Sequence, residues 1–189
     1  MIAVDPATRL TLVLGGARSG KSAYAETLAI HSGKDVIYIA TAQAGDAEMA
    51  ARIASHRQQR SDHWKTVEAP IALAAAITQW STPQNLIIVD CLTLWLSNLL
   101  FCEAKQFPQV GEILPPACFY DETTALMVAL SRSAGEIVMV SNEVGMGIIA
   151  QGAVSRWFVD EAGRLNQRVA AISDHVRLVV AGLPMAVKG

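Results

Sequence analysis

Charge is scarce in this sequence. Asp, Glu, Lys and Arg together make up 17% of its 189 residues, and the net charge is only −2. That balance excludes a broad basic footprint for nucleic acid or an anionic membrane. It also argues against disorder, because 52% of the residues are hydrophobic and can bury a substantial core. Cysteine is scarce too. Cys91, Cys102 and Cys118 show neither the short-spaced pairs nor the neighbouring histidines of a zinc site, and three scattered thiols fit a reducing cytoplasm. Met1 to Asp5 lacks the cationic and apolar regions of an export signal. Long hydrophobic runs are missing as well: the longest, Leu86 to Phe101, is interrupted by Asp90 and falls short of the roughly 20 residues a membrane span needs. The expectation is one cytoplasmic domain, residues 1–189, with no membrane span and no nucleic-acid partner.

What the sequence does contain is alternation. Short β-rich runs, Leu10 to Leu14, Val36 to Ala40, Leu86 to Asp90, Ile137 to Ser141 and Val176 to Ala181, are apolar enough to be covered on both faces. Helical patterns separate them: Ser22 to His31, ending near Gly33, then Ala47 to Gln59, and the long amphipathic Arg156 to Ser173. This is the sequence form of an α/β fold, a largely parallel sheet flanked by helices. Pro108, Gly111, Pro115 and Pro116 mark Glu103 to Pro116 as a loop or insertion between two helices.

The strongest motif is Gly15, four residues, then Gly20, Lys21 and Ser22, placed after a predicted strand and opening a predicted helix. Glycines there let backbone N–H groups turn around phosphate oxygens, and the helix N-terminus adds partial positive charge at the same place. Lys21 suits the β- and γ-phosphates, and the Ser22 hydroxyl suits Mg²⁺. Asp90 ends an apolar strand, as does the acid that P-loop proteins bring to the metal from a neighbouring strand. An Asp capping the following helix gives the same pattern, so both roles stay open. Arg52, His56 and Arg60 recur at four-residue steps and share one helical face. A neutral His there suits nucleophilic attack on phosphorus flanked by arginines, and a solvated polar helix looks the same.

Taken together, Gly15-Gly-Ala-Arg-Ser-Gly-Lys-Ser22, Tyr38-Ile-Ala-Thr41, Glu48-Met-Ala-Ala-Arg-Ile53, His56 with Arg57 and Arg60, Ser141-Asn-Glu-Val-Gly-Met-Gly147 and Gly163-Arg-Leu-Asn-Gln-Arg168 resemble one family. It is the bifunctional adenosylcobinamide kinase/adenosylcobinamide-phosphate guanylyltransferase of cobalamin biosynthesis. The resemblance implies a RecA-like P-loop fold and a homotrimer. It implies phosphorylation of the aminopropanol hydroxyl of adenosylcobinamide by ATP or GTP with Mg²⁺, then transfer of GMP from GTP, giving adenosylcobinamide-GDP and pyrophosphate. His56 is the position that matches the GMP-carrying histidine. The nucleotide contacts it implies are Gly15, Gly16, Ala17, Arg18, Ser19, Gly20, Lys21 and Ser22, then Ala40, Thr41 and Ala42, then Arg57, Gln58, Gln59 and Arg60, with Glu68 and Asp90; Ser22 and Asp90 are the metal side. Glu68 and Ala40 to Ala42 rest on the resemblance alone. Asn142, Glu143, Gly145 and Gly147 form a polar, glycine-rich strand exit that suits a site lining, with no catalytic role assigned.

Two other classes compete. A plain small-molecule or nucleoside monophosphate kinase would use the P-loop and Asp90 without a covalent histidine, and pyrophosphate release from GTP separates it. A switch GTPase would need an Asn/Thr-Lys-x-Asp stretch, which this sequence does not contain.

Overall fold

The computed structural model describes residues 10–43, 47, 51, 61, 63–103 and 106–189. Seven strands form one sheet: β1 (Leu10–Gly15), β2 (Asp35–Ala40), β3 (Lys65–Glu68), β4 (Asn85–Asp90), β5 (Glu136–Asn142), β6 (His175–Val180) and β7 (Leu183–Lys188). Their order across the sheet is β3-β2-β4-β5-β1-β6-β7. The first six run parallel and β7 is antiparallel to β6. The helices are α1 (Lys21–Ser32), α2 (Leu73–Trp80), α3 (Leu92–Leu100), α4 (Ala117–Ser131) and α5 (Ala153–Ile172).

Strand alternation divides the core into two layers. Leu12, Ile37, Ile39, Ile87, Val89 and Met139 point to the side where Leu73, Trp95, Leu96, Phe119, Leu126 and Leu165 close from α2 to α5. Val13, Val36, Tyr38, Ile88 and Val140 point the other way, onto Ala25 and Ala29 of α1. Small residues on α1 let that helix lie close to the sheet. Trp95 is fully buried, and its indole N–H still finds the Ile71 carbonyl oxygen at 2.7 Å, as a buried polar handle must.

All five expected strands are present, most of them a residue longer than the apolar run that marks them. The exception is the end of β6. Ala181 is not in the strand: it and Gly182 have φ of 50° and 80° and form the two-residue turn into β7, where positive φ at both positions matches the right-handed twist of a hairpin. β3 carries little of the apolar signal that marks the others, and β7, Leu-Pro-Met-Ala-Val-Lys, has apolar residues without the burial. Every β7 residue is exposed, and its Pro184 is tolerated because the strand is at the sheet edge. The helix expected over Ser22 to His31 spans Lys21–Ser32 and stops at Gly33, whose φ is 67°. The one expected over Arg156 to Ser173 spans Ala153–Ile172. The helix expected over Ala47 to Gln59 falls almost wholly outside the described residues. Residues 106–116 carry neither helix nor strand and lead from α3 to α4 as the prolines and glycine predict.

The thiols are less scattered than they look in sequence. Cys102 follows α3, Cys118 lies in the first turn of α4, and their sulfur atoms are 2.8 Å apart. Among the described residues no helix is long and apolar enough to cross a membrane.

Cys91, directly after β4, is the third thiol, and it is buried. Burial pushes it from the ordinary 9.0 up to about 11, the Asp90 carboxylate adding to the rise. A raised pKa in the folded state means that the stabilisation is complete below the unfolded value and is lost as pH climbs through the folded one. Unfolding free energy should therefore fall between about pH 9 and 11, by roughly 3 kcal/mol from this thiol. Urea titrations across that range should show a shallower decline for Cys91→Ala than for the wild type; parallel declines would assign the loss to other groups.

Candidate functional site

Because six strands run parallel, their C-terminal ends share one edge of the sheet, the edge at which open α/β sheets bind ligands. Gly15, Ala40, Glu68, Asp90 and Asn142 all end strands there. Register fixes their order: Gly15 lies opposite Asn142, Asp90 opposite Val140 and Ala40, and Ala40 opposite Glu68.

Gly15 to Ser22 form a turn from β1 into α1. Arg18 and Gly20 hold positive φ of 57° and 95°. Gly20 is the N-cap of α1, and no side-chain hydrogen bond caps it, so the first-turn N–H groups remain available to an anion. Ser19 N–H donates to Gly16 O at 3.2 Å, and Gly182 N–H of the β6–β7 turn donates to Ser19 O at 2.8 Å, bracing the loop from outside. Lys21 is buried, and its ammonium reaches back over the loop to Gly16 O at 3.1 Å. A cation folded onto its own loop, beside open helix-end donors, is the geometry of a phosphate cradle. Gly15 has a steric reason as well: a Cβ there would lie 2.4 Å from Ser19 Oγ and 2.7 Å from the Val179 carbonyl oxygen.

Asp90 accepts a hydrogen bond from the Tyr38 hydroxyl at 2.7 Å. The helix-cap alternative does not hold, because the N-cap of α3 is Cys91. Tyr38 in turn stacks on Trp64, ring centroids 6.5 Å apart, at the end of the segment that leads from β2 to β3. Thr41 is fully buried and spends its hydroxyl inside the chain. It donates to Cys91 O and accepts from Cys91 N–H, each at 2.8 Å, while Asn98 Nδ2 donates to Thr41 O at 2.7 Å. This clasp ties the exit of β2 to the exit of β4 and steadies Asp90. A second clasp holds β5: Thr93 Oγ1 accepts from Asn142 N–H at 2.7 Å, and Ser141 Oγ donates to Asn166 Oδ1 at 2.7 Å.

The structure thus brings Gly15 to Ser22, Ala40 to Ala42 and Asp90 to one edge, with Glu68 exposed on the outer strand. His56, Arg57, Gln58, Gln59 and Arg60 lie outside the described residues. Sequence reasoning gave no role to Tyr38, Asn98, Thr93 or Asn166; each is distant in sequence from the group it holds, so no local pattern exposes it.

A divalent ion is tested by its donors. Ser22 offers a hydroxyl and Asp90 a carboxylate whose partner here, Tyr38, is neutral, both hard oxygen donors of the kind Mg²⁺ takes. Among the described residues no cluster of three or more His, Cys, Asp or Glu could hold a metal by itself. That also fits Mg²⁺, which is held by one or two protein groups plus substrate phosphates.

Gly15→Ala should weaken nucleotide binding about tenfold or more, because the added methyl must push Ser19 or the Val179 backbone aside at a cost of roughly 1–3 kcal/mol. Titration with a fluorescent GTP analogue reads this. Unchanged affinity would place the triphosphate elsewhere.

Known proteins extend the picture. A family model described as cobinamide kinase / cobinamide phosphate guanyltransferase matches residues 11–187. The bifunctional adenosylcobalamin biosynthesis protein CobP of Pseudomonas aeruginosa is 49% identical over 178 residues, 94% of this chain and 96% of its own. The corresponding CobU of Salmonella typhimurium is 43% identical over 187 residues, 95% of this chain and 99% of its own. Among solved structures, the assembled ATPase EscN of the enteropathogenic E. coli type III secretion system aligns with a TM-score of 0.55 at 12% identity, over 92% of this chain and 43% of that one. At that identity the likeness speaks for the fold alone, a RecA-like P-loop architecture. Fold, cradle and end-to-end sequence match converge: the chain belongs to the cobinamide kinase / cobinamide phosphate guanyltransferase family.

Proposed function

We propose that this single-domain chain phosphorylates adenosylcobinamide with ATP or GTP and then transfers GMP from GTP to that phosphate, releasing pyrophosphate and adenosylcobinamide-GDP. The observation that carries the reading is the family match over residues 11–187, which spans every element that builds the cradle. It fits a cytoplasmic enzyme, and the family resemblance adds a homotrimer.

The cradle binds the triphosphate through the open N–H groups of α1 and the Lys21 ammonium. Ser22 and Asp90 would hold Mg²⁺, which when bound offsets phosphate charge. Thr41 and Cys91 keep the Asp90 carboxylate in place, and Tyr38 orients it. Ala40 to Ala42, Arg57 to Arg60 and Glu68 complete the nucleotide contacts in this reading. In the guanylyl half-reaction a neutral His56 nitrogen attacks the α-phosphorus, the bond to the bridging oxygen breaks, pyrophosphate leaves with the electron pair and the imidazole proton passes to solvent. The cobinamide phosphate then attacks the same phosphorus and releases histidine.

α-Labelled GTP with Mg²⁺ and no corrinoid should leave acid-labile, base-stable label on His56. Labelling should fall as pH drops through roughly 6.5, because a protonated imidazole has no lone pair to give. His56→Ala should lose label and GMP transfer while keeping phosphorylation of cobinamide at least in part. Label that persists in the variant, or maps to His31, His63 or His175 by peptide mass spectrometry, would overturn the assignment.

Asp90→Asn tests the metal side. Asn still accepts from Tyr38, so position is kept and charge is lost; turnover should drop by roughly 100-fold while nucleotide affinity changes far less. An unchanged Mg²⁺ titration would remove Asp90 from that role.

A further inference from the structure

The proton acceptor of the phosphorylation step has no sequence signature, and the sheet narrows the choice. Among the described residues, three carboxylates stand at or just past the C-terminal ends of the parallel strands: Glu68 after β3, Asp90 after β4 and Glu143 after β5. Neighbouring strands are about 4.8 Å apart, so β3 lies four spacings, roughly 19 Å, from β1, and β4 lies two, roughly 10 Å. β5 is adjacent to β1 and fills the gap between the cradle strand and the Asp90 strand. Glu143 is therefore the carboxylate nearest the cradle strand by position in the sheet. A direct bond confirms the closeness, since its N–H donates to Gly15 O at 3.1 Å.

Two further observations concern the same loop. Asn142, the residue before it, is anchored through its N–H to Thr93 Oγ1, next to the buried Ser141–Asn166 pair, so the strand exit is held firmly rather than left to swing. Beyond Glu143 the chain presents Met146, Ile148 and Ile149, all three largely exposed. An apolar, exposed stretch of this kind marks a binding face. It suits a large amphipathic acceptor whose hydroxyl must reach the γ-phosphate. Glu143 thus stands between the nucleotide cradle on one side and an apolar ledge on the other.

We propose that Glu143 is the general base of the phosphorylation half-reaction, a role that rests on the kinase reading above. The acceptor hydroxyl oxygen forms a bond to the γ-phosphorus, the bond from that phosphorus to the β,γ-bridging oxygen breaks, and the nucleoside diphosphate leaves with the electron pair. The hydroxyl proton passes to the Glu143 carboxylate and from there to solvent. One carboxylate oxygen, Oε1, accepts from Gly145 N–H at 2.7 Å and fixes the side chain against its own loop. The guanylyl half-reaction makes no use of this group, because histidine is its own nucleophile there.

Glu143→Gln is the decisive variant, since an amide oxygen can still accept from Gly145 N–H while the negative charge and the proton affinity are gone. In the full-length protein, transfer of label from γ-labelled ATP to adenosylcobinamide should lose roughly 100-fold or more in kcat, the size of a general-base contribution. KM for ATP should stay within about twofold, and protein labelling by α-labelled GTP should be preserved, readouts that a merely loop-shaping residue would not separate. Glu143→Asp should restore part of the kcat. Wild-type kcat in Glu143→Gln overturns the proposal alone. Parallel loss of kinase turnover, nucleotide affinity and guanylyl labelling also overturns it, because the residue would then shape the nucleotide site. Failure of the wild-type protein to phosphorylate adenosylcobinamide overturns the kinase reading and the proposal with it.

Discussion

The first turn of α1 carries backbone N–H groups that no capping side chain satisfies, and much of the site follows from leaving them open. A helix end without a partner is costly unless water or a ligand takes the donors. Here the turn before it is built to admit a ligand rather than a cap. Gly20 takes a left-handed backbone in the N-cap position where Ser, Thr, Asp or Asn would usually supply an oxygen. Gly15 removes the one Cβ that would meet Ser19 and Val179. The β6–β7 turn braces the loop through Gly182, so even the exposed edge strand, which adds little to the core, contributes to the shape of the cradle. Lys21 completes the arrangement by keeping its charge over the loop in a buried position, where an anion would be attracted more strongly than in open water.

The sheet order sets the second level of organisation. Placing β5 between β1 and β4 separates Asp90 from the cradle by the width of one strand, which leaves room for phosphates between a cation on one side and a carboxylate on the other. The exits of these strands are not independent loops. Thr41, Cys91 and Asn98 lock β2 to β4, and Thr93, Ser141 and Asn166 lock β5 to the helices beneath. Buried polar groups of this kind are tolerable because each finds a partner, and satisfied networks rigidify the positions they join. Catalysis by positioning requires that rigidity, since phosphoryl transfer gives the protein little covalent chemistry of its own.

Local chemistry was legible in the sequence and long-range pairing was not. The cradle could be read because its glycines, Lys21 and Ser22 are contiguous and lie between an apolar strand and an Ala-rich helix. The five central strands could be read because each is mostly apolar, even though Thr11 interrupts β1 and Arg177 interrupts β6. β3 could not, since Lys-Thr-Val-Glu at an edge has only one half-buried residue, and β7 could not, since an exposed edge tolerates Pro184 and imposes no pattern. Asp90 carried two readings in the sequence, metal side and helix cap, because both put a carboxylate after an apolar strand; the cap reading falls to Cys91, the N-cap of the following helix. The clasps through Asn98 and Asn166 join residues dozens of positions apart, and nothing near either asparagine in sequence announces the group it will meet.

One consequence of the topology concerns the segment between β2 and β3, which returns to the sheet beside the strands of the site. Trp64 stacks on Tyr38, which anchors the return of that segment beside β2. From β2 to β1 is three strand spacings, roughly 14 Å. Trp64 therefore bears on the site through Tyr38 rather than through the cradle: the ring it stacks on donates to Asp90, one strand nearer β1.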